Sequence, residues 1–238
     1  MSSNRTGTDG IDHLFGPPSV RKAGGPPAAG AAQGSDSAEV RELRGGFEEA
    51  AREARRIAEG LSALQVNWRP AAGRWSIGDC FGHLNIFGSE VLPLIDGAIG
   101  EARRRGWYGG GPLRPGVWAR WLLRSTEPPV RRRRTALEHF VPAGDQHPRD
   151  ALPALVNLNA LLVGRLESAS GLDMSRPKVA VPGIRLIRLS LYELFRFVEA
   201  HGRRHLAQAL AVREDPRFPR AAVAPAPGRP SAPARPNR

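Results

Sequence analysis

Four stretches of this chain repeat their apolar residues at alternating steps of three and four, and that regularity restricts the fold more than any other feature. In the first, Val40, Leu43, Phe47, Ala50, Ala54, Ile57, Leu61 and Leu64 make one stripe on a 3.6-residue helix; Gly45 and Gly46 weaken its start. The second follows RPAAGRW, where Ser76 and Asp79 form a capping-box-like start with the shorter acid in place of Glu or Gln. Its inner face carries Cys80, His83 and Phe87, and Pro93 predicts a kink or break. The third runs from about Arg149 to Ser170 with Leu152, Leu155, Val156, Leu162, Val163 and Leu166 on one side, and ends near Gly171. The fourth runs from about Ser190 to Arg213, on a stripe of Leu191, Leu194, Val198, His201, His205 and Gln208. Four amphipathic helices with one long connection between the second and third predict an all-α four-helix bundle.

The 238 residues hold one domain of about 150 to 200 residues plus tails. Residues 1–36, rich in Gly, Ala, Pro and Ser, are expected as a disordered leader, and 214–238 as a Pro-rich disordered tail. The helical domain then occupies 37–213. One cysteine, Cys80, excludes an intramolecular disulfide framework and reads as a packed, inert thiol rather than a ligand. No apolar leader and no membrane-length apolar run is visible, which predicts a soluble, unexported protein of the cytoplasm.

Two of the stripe positions on the last helix are histidines. His201 and His205, four residues apart in HGRRH, project from one face, and His83 on the second helix is a third imidazole that would close a facial set with open positions for water or substrate. Side by side in a core, neutral imidazoles need polar partners, and a metal ion satisfies them together. Gly202 stands where a zincin has its catalytic Glu, so metalloprotease chemistry is disfavoured. Two roles stay open for Asp79: helix capping, which is preferred, and a hydrogen bond to a ligand imidazole. Gln208, one turn beyond His205, either lines the pocket or holds a backbone group; His139, His147 and His13 read as surface or leader residues.

The pair of segments WSIGDCFGHL and HGRRHLAQ resembles the DinB-like superfamily of four-helix metalloproteins, over roughly residues 38–213. The resemblance implies a divalent metal on His83, His201 and His205; three neutral imidazoles suit zinc, nickel, iron or copper. It also implies a reaction class, because characterised members include thiol-dependent S-transferases that use bacillithiol or mycothiol and a related mycothiol-dependent isomerase. A low-molecular-weight thiol would then be the cofactor, an electrophile the second substrate, and a homodimer one possible assembly.

The formal charge of +12 is concentrated. Between residues 101 and 134 ten arginines face two glutamates, a surplus of eight, interleaved with Trp107, Tyr108, Trp118 and Trp121. The preferred reading packs these tryptophans over the bundle mouth with Arg facing water; a funnel for an anionic thiol is another. The rival function is a non-enzymatic, stress-associated binding module that applies the segment to nucleic acid, membrane or another anionic partner.

Overall fold

The computed structural model describes residues 37–109, 113–127 and 137–220, all within the compact unit Ser35–Arg238. In chain order its elements are α1 (Ala38–Ala58), α2 (Ala63–Val66), α3 (Ile77–Arg104), α4 (Val117–Thr126), α5 (Pro148–Ser168), β1 (Lys178–Val181), β2 (Ile184–Ser190) and α6 (Leu191–Arg213). The long helices pack in a ring: α1 on α5, α5 on α3, α3 on α6 and α6 back on α1. The fold is all-α with one small hairpin, and the four periodic segments are its four long helices. Phe47, Phe81, Phe195, Leu155, Leu162 and Leu166 are fully buried between them, and Phe47 meets Phe195 edge to face at 6.4 Å.

Two glycines let the helices approach. A Cβ on Gly46 of α1 would stand 2.9 Å from Cγ of Glu199, and one on Gly88 of α3 would stand 2.4 Å from Cδ2 of Leu158. Gly46, a weak helix former by propensity, is therefore a packing residue.

Several expectations need correction. The first helix stops at Ala58, because Gly60 turns the chain with φ +73°. Leu61 is only half-buried, and Leu64 lies on the separate α2, 61% exposed. Pro93 does not break its helix: α3 is continuous from Ile77 to Arg104. Pro93 and Ser89 are both exposed, so the Ser89 carbonyl that loses its N–H partner can turn to water. Residues 214–220, expected as the beginning of the tail, instead pack on the domain. Phe218 is buried and meets Trp68 edge to face at 5.5 Å, while Gln65 Nε2 donates to the Pro219 carbonyl at 2.7 Å. The leader 1–36, the remaining tail 221–238 and Arg131 to Arg134 lie outside the described residues.

The β1–β2 hairpin was not anticipated. Val179 and Val181 alternate inward, Val179 pairs with Leu189, and Pro182–Gly183 makes the two-residue turn with Gly183 at φ +78°. The hairpin delivers the chain to Ser190, whose hydroxyl accepts from Glu193 N at 3.2 Å while the Glu193 carboxylate accepts from Ser190 N at 2.7 Å. This capping box fixes where α6 begins, and so which face His201 and His205 present.

Candidate metal centre

Helix α3 begins at a second capping box. Asp79 accepts from Ser76 N at 2.8 Å, and Ser76 Oγ accepts from Asp79 N at 3.0 Å. The same carboxylate takes both arms of Arg69, at 2.9 and 3.0 Å, and Arg69 also reaches Asp145 at 3.2 Å. Asp79 thus fixes the loop bearing Trp75 to the start of α3. Its carboxylate is engaged by these groups, while the hydrogen bond to His83 for which it was a candidate comes from elsewhere in the chain.

That partner is a backbone carbonyl. His83 Nδ1 lies 2.8 Å from the Phe140 oxygen, in a 3₁₀ turn at Glu138–Phe140 within the long connection. A carbonyl only accepts, so Nδ1 carries the proton. In the neutral ring, Nε2 is then left with its lone pair. That lone pair faces His201, whose Nε2 stands 3.0 Å away. His205 completes the cluster, its ring 4.5 Å from His83 and 4.7 Å from His201.

Among the described residues, His83, His201 and His205 form a group whose candidate ligand atoms all lie within 4.8 Å of one another. Nitrogens that share an ion at about 2.1 Å stand roughly 3 to 3.5 Å apart. The His83–His201 pair is at that spacing, and the candidate ligand atom of His205 lies within 4.8 Å of theirs. His205 Nδ1 is buried with no hydrogen-bond partner, an arrangement that costs about 1–3 kcal/mol unless something else binds the ring. The donor set and its orphaned nitrogen fit a divalent transition metal.

Electrostatics keep the rings in the ligating state. Burial pushes His83 below its ordinary value, against the raising effect of the Phe140 bond. His201 falls to about 3, first through burial and then through the charges of His83 and Arg204. Burial likewise holds His205 well below the usual range, aided by His201, His83 and Arg204 and opposed by Gln208. All three are neutral at pH 7, as a metal ligand must be.

Aromatic rings wall the cluster. Trp75 stacks on His205 at 5.4 Å and tilts against His83 at 4.9 Å; Phe87 and Phe197 flank His201 at 4.7 and 5.8 Å. Inward of His201 lies a cavity of about 20 Å³ beside Gly88, Leu158 and Asn159, room for about one water. Cys80 is fully buried outside the three-histidine group, and burial pushes its thiol far up, so it is protonated and inert. Gln208 is half-buried and close enough to influence His205, without reaching Nδ1 in hydrogen-bond geometry. His139 and His147 are exposed; the latter caps α5 by accepting from Arg149 N at 3.1 Å.

Sequence reasoning missed three contributors. Phe140 acts through its main chain, which no residue type announces. Trp75 opens WSIGDCFGHL with nothing in the sequence to aim its ring, and Arg204 inside HGRRH has a legible charge but no legible direction.

The model of the DinB superfamily matches residues 46–209, well over half of the chain, and the chain belongs to that superfamily. The matched span runs from within α1 almost to the end of α6 and contains all three histidines. No curated protein and no solved structure provides a match.

Proposed function

We propose that this protein binds one divalent transition metal through His83, His201 and His205 and uses it to transfer a low-molecular-weight thiol to an electrophile. The carrying observation is the convergence of three neutral imidazoles with the His83 tautomer fixed by Phe140. A metal at such a site lowers the pKa of a thiol, so that the nucleophilic thiolate forms near neutral pH.

The chain's own groups have separate tasks. Phe140 holds the His83 ring and its proton at Nδ1, and Trp75, Phe87 and Phe197 pack against the imidazoles and fix their positions. Arg204, whose charge is felt at both α6 histidines, favours an anionic sulfur over a neutral one. The thiol proton leaves to solvent, the histidine group holding no carboxylate among the described residues, and the sulfur forms its new bond to carbon as the leaving group departs. Gln208, close to His205, is our candidate for contact with the thiol. The single buried thiol suits a reducing compartment, and we place the protein in the cytoplasm.

The test is a screen of small thiols with electrophilic acceptors on metal-loaded protein. Thioether formation that disappears in His201→Ala supports the reading. Metal-loaded protein that transfers no thiol in the screen would leave the centre a binding site without this activity.

A further inference from the structure

Helix α4 contributes no residue to the histidine cluster. It rests on α6 through buried Ala119, Leu122 and Leu123. Both of its ends are tied. Gly116 N donates to Glu193 Oε1 at 2.8 Å, and at the other end Arg204 donates to the Ser125 carbonyl at 3.3 Å while Arg203 reaches Glu127 at 3.5 Å. Its orientation is therefore built into the fold.

The face it turns outward is apolar. Trp118 is 83% exposed, Val117 71% and Trp121 58%, which overturns the expectation that these tryptophans cover the bundle mouth. At about 100° per residue, Val117, Trp121 and Trp118 fall within an arc of about 100°, and Arg120 and Arg124 lie along one border of it. Both arginines are exposed. From residue 102 to 126 the sequence contains six arginines and no acid, and four more arginines follow at 131–134. By contrast, Trp107 of the same segment is half-buried, with the Arg105 guanidinium 5.0 Å from its ring.

We infer that the outward face of α4 docks the protein on an anionic lipid surface, with Trp118, Trp121 and Val117 entering the headgroup boundary and Arg120 and Arg124 meeting lipid phosphates. Tryptophan has an apolar body and a polar N–H and is at home at that depth. Arginine supplies the charge complementarity, each cation near an anionic surface strengthening binding severalfold. A single-stranded nucleic acid fits this face less well. It would run in a groove where bases stack and phosphates are tracked, whereas here the apolar residues stand on the convex side of a helix and include Val117, which offers a base nothing to stack on. A second copy fits less well too, because self-pairing would set arginine against arginine.

The experiment uses the full-length protein with vesicles of phosphatidylcholine alone and of phosphatidylcholine mixed with phosphatidylglycerol, at low and high salt. The result expected is cosedimentation with the mixed vesicles only, a blue shift of tryptophan emission, and release by salt. Trp118→Ala/Trp121→Ala and Arg120→Glu/Arg124→Glu should each lose about tenfold or more in partitioning, with an unchanged circular dichroism spectrum and metal content. No association at low salt, or equal association with both vesicle types, would overturn the proposal. So would oligonucleotide binding, or a dimer in sedimentation velocity, that the same variants abolish while vesicle binding persists. Retained metal in these variants keeps this outcome separate from that of the proposed centre.

Discussion

The histidine cluster and the outer face of α4 are built from the same materials, nitrogen bases beside tryptophan, and differ in their access to water. At the cluster, burial removes the charge: His201 is held at about 3 and Trp75 covers His205. On α4, Arg120 and Arg124 stand in water beside bare indoles. A neutral, dry nitrogen suits a metal ion, whereas a solvated cation suits phosphate. The two regions meet in one stretch of α6, because Arg203 and Arg204, which reach the end of α4, lie between His201 and His205 in the chain.

The largest way to break this contrast is to remove a buried base. His201→Ala should lower metal affinity by about a hundredfold or more, read as loss of the metal-dependent rise in melting temperature. An unchanged shift would place the ion elsewhere. Acid is the next lever. Each histidine has an ordinary value of 6.5 and a lower one in the fold, so the unfolded chain takes up protons first as pH falls below 6.5. The share of stability these rings contribute to the metal-free protein is therefore complete above that pH and declines below it, the His201 part down to about pH 3. At pH 5, His201 alone accounts for about 2 kcal/mol. Urea midpoints that stay flat from pH 7 to 5 would contradict neutral burial.

Asp79→Ala sharpens the division of labour around His83. It removes the acceptor for Ser76 N and leaves Arg69 with Asp145 as its remaining carboxylate partner, and should destabilise the fold by about 1–2 kcal/mol while leaving metal affinity within about twofold. A tenfold loss of affinity would make Asp79 a partner of the imidazole after all. The smallest effect belongs to the exposed face: Trp118→Ala/Trp121→Ala should change unfolding free energy by no more than about 0.5 kcal/mol. A larger loss would mean that the indoles pack on something in solution.

What the sequence disclosed follows from what periodicity can encode. The stripes of α1, α3, α5 and α6 were legible because each buries one face, and the facing of His83, His201 and His205 came with them. The hairpin was missed although KVAVPGIRLIRLS alternates about a Pro-Gly turn; seven residues on one strand and four on the other make a weak signal beside 20-residue helices. Leu64 was misassigned because its spacing continued the stripe across Gly60, where the backbone does not. Phe140 was beyond reach in principle, since its carbonyl approaches His83 across 57 residues of chain. The tryptophans of α4 look like covers in the sequence because burial is the usual fate of large apolar side chains, and the amphipathic pattern does not say which of the two faces meets α6.

The most direct test of the central claim is calorimetric titration of metal-free protein with zinc at pH 6, repeated in two buffers of different ionisation enthalpy. The account predicts one ion per chain with release of far fewer protons than the roughly two that three ordinary imidazoles would lose at that pH, and no such binding in His201→Ala. Binding of one ion with two or more protons released, or equal binding by the variant, would contradict it.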